Sequence, residues 1–146
     1  MTETFWFDLA RGRQVENMAL DLIHTKYPNA YIINGYYKFW DIYVPELEIG
    51  IEVKSDQKSN YTGNIVVEIA FDGKKSALCV TKAKYWMFYD GYGFTVIKPE
   101  RIWDCINNNR LIPVNFIGKG DTKQKTAYLI NKSLLYQYKE NGESSA

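Results

Sequence analysis

The feature that most constrains this chain is a pair of alternating apolar segments joined by a short connection. Residues 38–44 read KFWDIYV, residues 48–54 read EIGIEVK, and Pro45 to Glu48 form the junction. Connections of about four residues are common in β-hairpins. Because side chains on a strand alternate between two faces, the pattern predicts an antiparallel hairpin in which Val44 faces Ile49.

The predicted register separates apolar from polar side chains. On the apolar face, the further facing pairs are Ile42 with Ile51 and Trp40 with Val53. On the opposite face, the facing pairs are Asp41 with Glu52 and Phe39 with Lys54. A slip of one residue would place Asp41 among the isoleucines, so the apolar pattern itself favours this register.

Asp41 and Glu52 would then be facing carboxylates with Cβ atoms about 5 Å apart. Facing like charges destabilise a sheet, and a cation between them would remove the repulsion; carboxylate oxygens suit Mg²⁺ or Mn²⁺. Lys54 follows on the same face, where its ammonium could stabilise an attacking hydroxide or a phosphoryl oxygen. The alternative is an exposed strand on which Glu52 and Lys54 form a solvated ion pair of little energetic value.

The rest of the chain alternates between helical and strand patterns. Helices are predicted over about residues 9–26, over 80–91 with Thr81 as N-cap, and from Pro99 to about Asn108. The apolar positions of the first helix are Val15, Met18, Ala19, Leu22 and Ile23. Further strands are predicted in AYIING, GNIVVEIAF and GFTVIK, while LIPVNF and TAYLINKSLLYQYK stay ambiguous. The predicted fold class is α/β (an α+β mixed sheet) with helices packed against it.

Length and composition restrict the class of protein. A chain of 146 residues is expected to form one domain, here 1–140, followed by a flexible tail at 141–146. The net charge of +1 excludes a global basic field, so a nucleic-acid surface would have to be local. No apolar run reaches the length of a membrane span and the first residues lack a signal-peptide pattern, so a cytoplasmic protein is expected. Cys79 and Cys105 are predicted to be reduced, buried thiols.

Asp41 followed by IEVK at 51–54, after a helix bearing Glu16, resembles the motif of the PD-(D/E)xK nuclease superfamily. Its members include restriction endonucleases, Holliday junction resolvases and phage nucleases, and the segment GKKSALCVTKAKYW is similar to small phage-encoded nucleases. The family core is a helix, a three-stranded antiparallel meander, a helix and a further strand. The predicted order is similar over about residues 9–98, which implies a restriction-endonuclease-like fold with C-terminal additions.

The resemblance also implies a set of site residues. Asp41, Glu52 and the backbone carbonyl of Val53 would bind Mg²⁺ or Mn²⁺, Lys54 would be the catalytic lysine, and Glu16 would supply a further acid. The implied activity is phosphodiester hydrolysis in DNA, by an endonuclease that is structure-selective at junctions or phage-encoded and acts in the host cytoplasm. A homodimer stays open, because junction resolvases and many restriction enzymes work as dimers.

Glu68 is a further candidate ligand of the metal. If the apolar residues that alternate with it shared a core with Ile51, Glu68 would point to the face of Asp41 and Glu52. Otherwise it is an exposed strand residue. His24 is the only histidine and has no second ligand at zinc-like spacing, so a zinc site is not expected.

Candidate nucleic-acid contacts lie at the start of the first helix and after residue 71. They are Arg11, Arg13, Lys74, Lys75, Ser76, Thr81 and Lys82. Basic turns and helix N-termini suit phosphates, although plain exposure to solvent explains each lysine equally well. The aromatic residues nearby are expected to form core packing more often than base-stacking platforms.

Two other classes of function stay open beside the nuclease. One is a non-catalytic nucleic-acid-binding or assembly module that retains the fold, and the other is an ordinary α+β interaction domain whose facing acids are solvated. The intact set of Asp41, Glu52 and Lys54 favours the nuclease, because a binding module has no reason to keep acids that repel phosphate.

Overall fold

The computed structural model describes residues 3–118 and 120–140, with side chains from Gly12 onward, so the predicted tail at 141–146 lies outside it. In chain order, the elements are α1 (Glu3–His24), β1 (Tyr31–Ile32), β2 (Ile42–Val44), β3 (Ile49–Ser55), α2 (Ser59–Thr62), β4 (Asn64–Phe71), β5 (Lys74–Lys75), a 3₁₀ turn (Ala77–Cys79), β6 (Tyr85–Tyr89), β7 (Phe94–Ile97), α3 (Pro99–Asn108), β8 (Val114–Ile117), β9 (Gln124–Asn131) and α4 (Lys132–Tyr136). The protein is a mixed α/β structure, as predicted.

The strands form two sheets. In the first, β1, β2 and β3 make an antiparallel meander, β6 pairs with β3 in parallel, and β7 closes the edge antiparallel to β6. In the second, the order is β5-β4-β9-β8 with antiparallel pairing throughout. The mixed sheet and its meander confirm the predictions, whereas a separate second sheet was not predicted.

The hairpin register is confirmed where β2 exists and fails before it begins. Ile42 pairs with Ile51 and Val44 with Ile49 across the predicted connection. However, β2 begins at Ile42, so the three predicted pairs that precede it do not form: Asp41 with Glu52, Trp40 with Val53, and Phe39 with Lys54. The reason is local: the Asp41 carboxylate accepts a hydrogen bond of 2.8 Å from the Val53 N–H, at the point where the next strand partner would be.

Trp40 lies on the other face of the first sheet. Its ring covers Gly50, where an added Cβ would overlap the indole, and it packs with Tyr43 at 5.7 Å between ring centroids. Gly50 is therefore required for close approach of the ring, and an alanine there would force Trp40 to move.

The predicted helix over 80–91 is wrong, because this segment contains β6. Trp86, Met87 and Phe88 are consecutive and all buried, which a strand achieves when both of its faces are covered. Met87 belongs to the core beside α1, and Trp86 and Phe88 to the core facing the second sheet. Strands that pair in parallel commonly carry such continuous apolar runs. The predicted order helix, meander, helix, strand over residues 9–98 is accordingly not observed in that form.

One core lies between the first sheet and α1. On the helix, Val15, Ala19 and Ile23 are buried, whereas Met18 and Leu22 are 37% and 53% exposed. The predicted apolar stripe is therefore wider than the face that packs. The backbone of α1 begins about six residues before the predicted start and ends two residues before the predicted end.

The second core lies between the two sheets and is closed by α3 and α4. Helix α3 begins at Pro99 and ends at Asn108, as predicted, and buries Ile102, Cys105 and Ile106. Cys105 is therefore a buried free thiol, but Cys79 is exposed, which corrects the prediction that both are buried. Among the described residues, no helix is both long and apolar enough to cross a membrane.

An ion-pair network connects the β6–β7 turn to α2 and α4. The Lys132 ammonium lies 3.0 Å from the Asp90 carboxylate and donates to the Asn60 side-chain oxygen at 2.8 Å. Asp90 also accepts hydrogen bonds from the backbone N–H groups of Tyr92 and Gly93 at 2.9 and 3.1 Å. We call Asn60, Asp90 and Lys132 the Lys132 network; every charge in it has a partner.

Candidate active site

Asp41 immediately precedes β2, and two hydrogen bonds to β3 hold it in place. Its backbone N–H donates to the Ile51 carbonyl at 3.0 Å, and its carboxylate accepts from the Val53 N–H at 2.8 Å. These two bonds fix the side chain against the edge of β3. The N–H and C=O groups of one strand residue point to the same side of the strand. The Val53 carbonyl therefore also faces Asp41, and it lies beyond Ile42, where β2 begins.

Glu52 and Lys54 lie on β3, two residues apart on one face. The register with β6 places Glu52 beside Trp86. The Lys54 ammonium is 3.2 Å from the Glu52 carboxylate and 5.3 Å from the centre of the Trp86 ring. Only 15% of the Glu52 side chain is exposed, against 35% of Lys54. The pair is thus partly desolvated, unlike the freely solvated pair of the alternative interpretation.

Glu16 completes this group from α1. Burial raises its pKa, and the charge of Asp41 adds to the effect. Burial likewise raises the pKa of Asp41, which the hydrogen bond from the Val53 N–H and the charge of Lys54 partly oppose. Glu16 therefore lies within electrostatic range of Asp41 and Glu52. We call Glu16, Asp41, Glu52 and Lys54 the carboxylate cluster.

Glu52 has the largest shift in this cluster. Burial raises its pKa to about 7, although Lys54 acts to lower it. The charges of Asp41 and Glu16 act in the same direction as burial. One lysine therefore leaves the carboxylates partly uncompensated at neutral pH, and a cation would relieve the remaining repulsion.

The carboxylate cluster fits a hard divalent cation in chemistry and in number of ligands. Mg²⁺ is usually bound by one or two carboxylates and keeps several waters. Asp41 and Glu52 with the Val53 carbonyl would supply such an oxygen set. Within the described part of the chain, no group of three or more His, Cys, Asp or Glu side chains is arranged to hold a metal ion. A site here would therefore need water and a substrate oxygen to complete it.

Glu68 has different partners. It lies on β4, in the second sheet, and its carboxylate accepts from the Ser76 hydroxyl at 2.9 Å and lies 3.8 Å from the Lys125 ammonium. The predicted shared core with Ile51 is wrong, because the buried residues of β4 pack in the core between the sheets instead. The structure therefore gives Glu68 contacts that hold β4 to the 3₁₀ turn.

The candidate phosphate contacts divide into exposed and structural residues. The Arg11 side chain lies outside the described residues. Arg13 is exposed, and it lies close enough to Glu16 for its charge to lower the pKa of Glu16. Lys74 and Lys75 are exposed on β5 at the edge of the second sheet. The structure does not bring these side chains into the carboxylate cluster through any described hydrogen bond or ion pair.

Thr81 and Lys82 lie beside the chain that leads to Asp41. The Thr81 hydroxyl donates to the Phe39 carbonyl at 3.3 Å and accepts from the Trp86 indole N–H at 3.2 Å. Its predicted role as a helix N-cap is wrong, because the element that follows it is the strand β6. The Lys82 ammonium lies 4.5 Å from the centre of the Phe39 ring and its side chain is exposed.

Sequence reasoning missed a group of aromatic side chains next to Asp41. Trp40 was expected to pair with Val53, and no role was predicted for Tyr31 or Tyr37. In the structure Trp40 packs over Gly50, and Tyr31 and Tyr37 are 49% and 40% exposed. The signal available in the sequence was the density of aromatic residues over 36–43, since a short segment with so many rings exceeds what one strand buries.

No protein-family model matches the chain, and comparisons with curated proteins and with solved structures find no significant match.

Proposed function

We propose that the protein is a divalent-metal-dependent nuclease that hydrolyses phosphodiester bonds in DNA. The observation that carries this proposal is the convergence of Asp41, Glu52 and Lys54 in one partly desolvated group at the point where β2 begins. We propose further that α1, the meander β1–β3 and the parallel strand β6 correspond to the restriction-endonuclease-like core of the PD-(D/E)xK superfamily.

The residues of the cluster have separable roles in this proposal. Asp41 and Glu52, with the Val53 carbonyl, would hold Mg²⁺ or Mn²⁺. When bound, such an ion lowers the pKa of a water molecule and polarises the scissile phosphate. Lys54 donates to a phosphate oxygen or to the attacking water, because its ammonium already lies beside Glu52. Glu16 adds negative charge next to Asp41, which strengthens the attraction for a cation.

The charge balance supports a metal over direct binding of DNA by the bare cluster. Without a cation, Glu16, Asp41 and Glu52 face a single lysine, and a phosphate approaching them would be repelled. A divalent cation neutralises the negative charge that the three carboxylates and Lys54 leave, and a phosphate oxygen could then bind to the ion. The proposal therefore predicts that substrate contact at the cluster depends on the metal.

A non-catalytic nucleic-acid-binding module is the second candidate. The observation that favours it is the absence, among the described residues, of a ready-made group of three metal-ligating side chains. In that case the cluster would be a remnant of an enzyme site, and binding would rest on other surfaces such as the exposed lysines of β5.

Incubation with linear, circular, single-stranded and branched DNA tests the proposal, with Mg²⁺, Mn²⁺ or EDTA in parallel. We expect cleavage with either metal, none with EDTA, and none by Glu52→Gln or Lys54→Ala. The chain offers a matched control pair: Lys98 lies 3.8 Å from Glu140 and is 31% exposed, and it also lies over a tyrosine ring. Lys98→Ala and Glu140→Gln should cleave like the wild type.

Cleavage that persists in EDTA, or in both cluster variants, would refute the assignment. Binding of DNA without cleavage of any form would instead favour the non-catalytic module. A branched substrate cut faster than linear duplex would identify junction selectivity, and the order of the products on circular DNA separates endonuclease from exonuclease action.

A further inference from the structure

A pocket of about 370 Å³ opens beside β1 and β2, close to the residue that precedes β2, Asp41. Its lining is aromatic and aliphatic, and its residues are Tyr31, Ile33, Tyr37, Trp40 and Tyr43. We call it the aromatic pocket. Its rings form a continuous wall, with centroid distances of 5.9 Å from Tyr31 to Tyr43, 5.7 Å from Tyr43 to Trp40, and 5.2 Å from Trp40 to Tyr37.

The wall is held in place by the sheet and remains accessible. Trp40 packs over Gly50, which has no side chain to displace it, and Tyr43 pairs directly with Gly50 across the hairpin. Tyr31 and Tyr37 nevertheless leave 49% and 40% of their surface in solvent. Aromatic rings that pack on one side and are exposed on the other are typical of a binding surface, whereas the rings of an ordinary core are covered on both sides.

Two lysines lie near the pocket, on the side of Tyr37 and Phe39. The Lys38 and Lys82 ammonium groups lie 5.2 and 4.5 Å from the Phe39 ring, and that ring packs edge-on against Tyr37 at 5.3 Å. The five lining residues include no acid. An apolar slot flanked by ammonium groups matches a flat base whose sugar carries phosphates, since bases stack on aromatic rings and phosphates pair with lysine.

The pocket also adjoins the proposed metal ligands. Trp40 is the residue immediately before Asp41, and consecutive Cα atoms are about 3.8 Å apart. Tyr43 lies two residues after Asp41, within β2. A nucleotide with its base in the pocket would thus have its backbone next to Asp41, where the proposed hydrolysis takes place.

We infer that the aromatic pocket binds an unstacked base of single-stranded DNA next to the cleaved bond, and that the substrate therefore contains unpaired nucleotides. In duplex DNA both faces of each base are covered by neighbours, so a base must leave the stack to enter the pocket. Single strands, flaps and frayed junctions offer such a base without that penalty. This inference rests on the proposed function, because it assumes that the cluster acts on DNA.

Fluorescence anisotropy in the Glu52→Gln background, with Mg²⁺ present, measures the contribution of the pocket without cleavage. The probes are a labelled oligothymidylate of about 15 nucleotides, a duplex of the same length, and an abasic strand of the same length. Tyr37→Ala should weaken binding of the oligothymidylate about tenfold, within the range that stacking supplies. It should change binding of the duplex and of the abasic strand by less than about twofold.

Two further variants separate stacking from folding. Tyr37→Phe keeps the ring and should bind like its parent. Tyr92→Ala removes a tyrosine that is 88% exposed in the β6–β7 turn, away from the pocket, and should also bind like its parent. The inference is overturned if Tyr37→Ala binds oligothymidylate normally, if it loses the abasic strand equally, or if the pocket binds a proline-rich peptide and not oligothymidylate.

The two proposals fail separately. If the wild type cleaves DNA with Mg²⁺ but oligothymidylate binding ignores Tyr37, the nuclease assignment stands and the pocket inference is wrong. If binding depends on Tyr37 but no DNA is cleaved, the pocket does bind an unstacked base, but the nuclease assignment and the position of that base next to a cleaved bond are wrong, and the protein is a single-strand-binding module.

Discussion

The carboxylate cluster and the Lys132 network each bring acids and a lysine together, but the pKa values of their acids shift in opposite directions. Asp90 accepts two backbone hydrogen bonds and the Lys132 ion pair; although burial alone would raise its pKa, these bonds lower it. In the cluster, burial and like charges raise the pKa of Glu52 to about 7. The charges of the Lys132 network are paired with one another, whereas the three carboxylates of the cluster share one lysine.

This contrast distinguishes structural from functional charge in a chain whose motifs are short. A paired acid contributes to folding at neutral pH, because ionisation is easier in the folded state. An acid with a raised pKa opposes folding at neutral pH, so retaining several of them together calls for another use. The comparison thereby supports the nuclease proposal by an argument separate from the motif.

The largest effect that tests the contrast is expected from Glu52→Gln. Removing this carboxylate should lower the rate of Mg²⁺-dependent cleavage on the order of 10³-fold, because the ion would lose a ligand and its charge. The same variant should be more stable than the wild type at pH 8, since it removes a buried charge. Single-turnover cleavage and urea unfolding check the two parts, and loss of activity together with loss of stability would show that Glu52 is structural.

The pH dependence of stability is the next test. The folded protein holds a proton on Glu52 between pH 4.5 and about 7, whereas the unfolded chain has already released it. Stability should therefore be highest near the lower pH and fall as pH rises to about 7, by roughly 3 kcal/mol. Asp41 and Glu16 act in the same direction, since their pKa values are also raised.

Urea unfolding across this pH range measures the slope and assigns it. Glu52→Gln should flatten the curve, whereas Asp90→Asn should leave it in place. Asp90 contributes in the opposite sense: its lowered pKa gives stability above its ordinary pKa that is lost as pH falls. An unchanged slope in Glu52→Gln would mean that another group carries the titration.

Lys132→Met tests the Lys132 network. The variant removes the cation that pairs with Asp90, whose side chain is only 16% exposed. We expect a loss of about 1–3 kcal/mol in the free energy of unfolding, with cleavage per folded molecule unchanged. Thermal melting and initial rates check both, and Lys98→Ala, which removes a more exposed lysine, should lose less stability. A large loss of activity in Lys132→Met would remove the distinction between the two regions.

The parts of the fold that could be predicted are those fixed by neighbouring residues. The register of Ile42 with Ile51 follows from alternation on both sides of one short turn, and it places Asp41 near Glu52. The start of α3 at Pro99 follows from the fixed φ of proline. In each case the deciding contacts lie within a few residues of the pattern that indicates them.

The parts that could not be predicted depend on distant contacts. The sequence of β6 alone also fits a buried helix. The segment is a strand because it pairs with β3 and is covered by a core on each face. Glu68 contacts Ser76 instead of the cluster because β4 belongs to a second sheet. Trp40 turns away from Val53 because the Asp41 side chain takes the backbone N–H that pairing would have used.

Glu16→Gln is expected to give the smallest effect, because Glu16 acts on the other acids from α1. Its removal takes away one of the charges that raise the pKa of Glu52. The cleavage rate should fall only about tenfold, as for groups that support metal ligands, and the pH at which activity reaches half its maximum should move down. Asp21→Asn, an exposed acid on the same helix, should change neither. A loss as large as that of Glu52→Gln, with no shift of the pH profile, would make Glu16 a direct ligand and would add a third carboxylate to the proposed metal site.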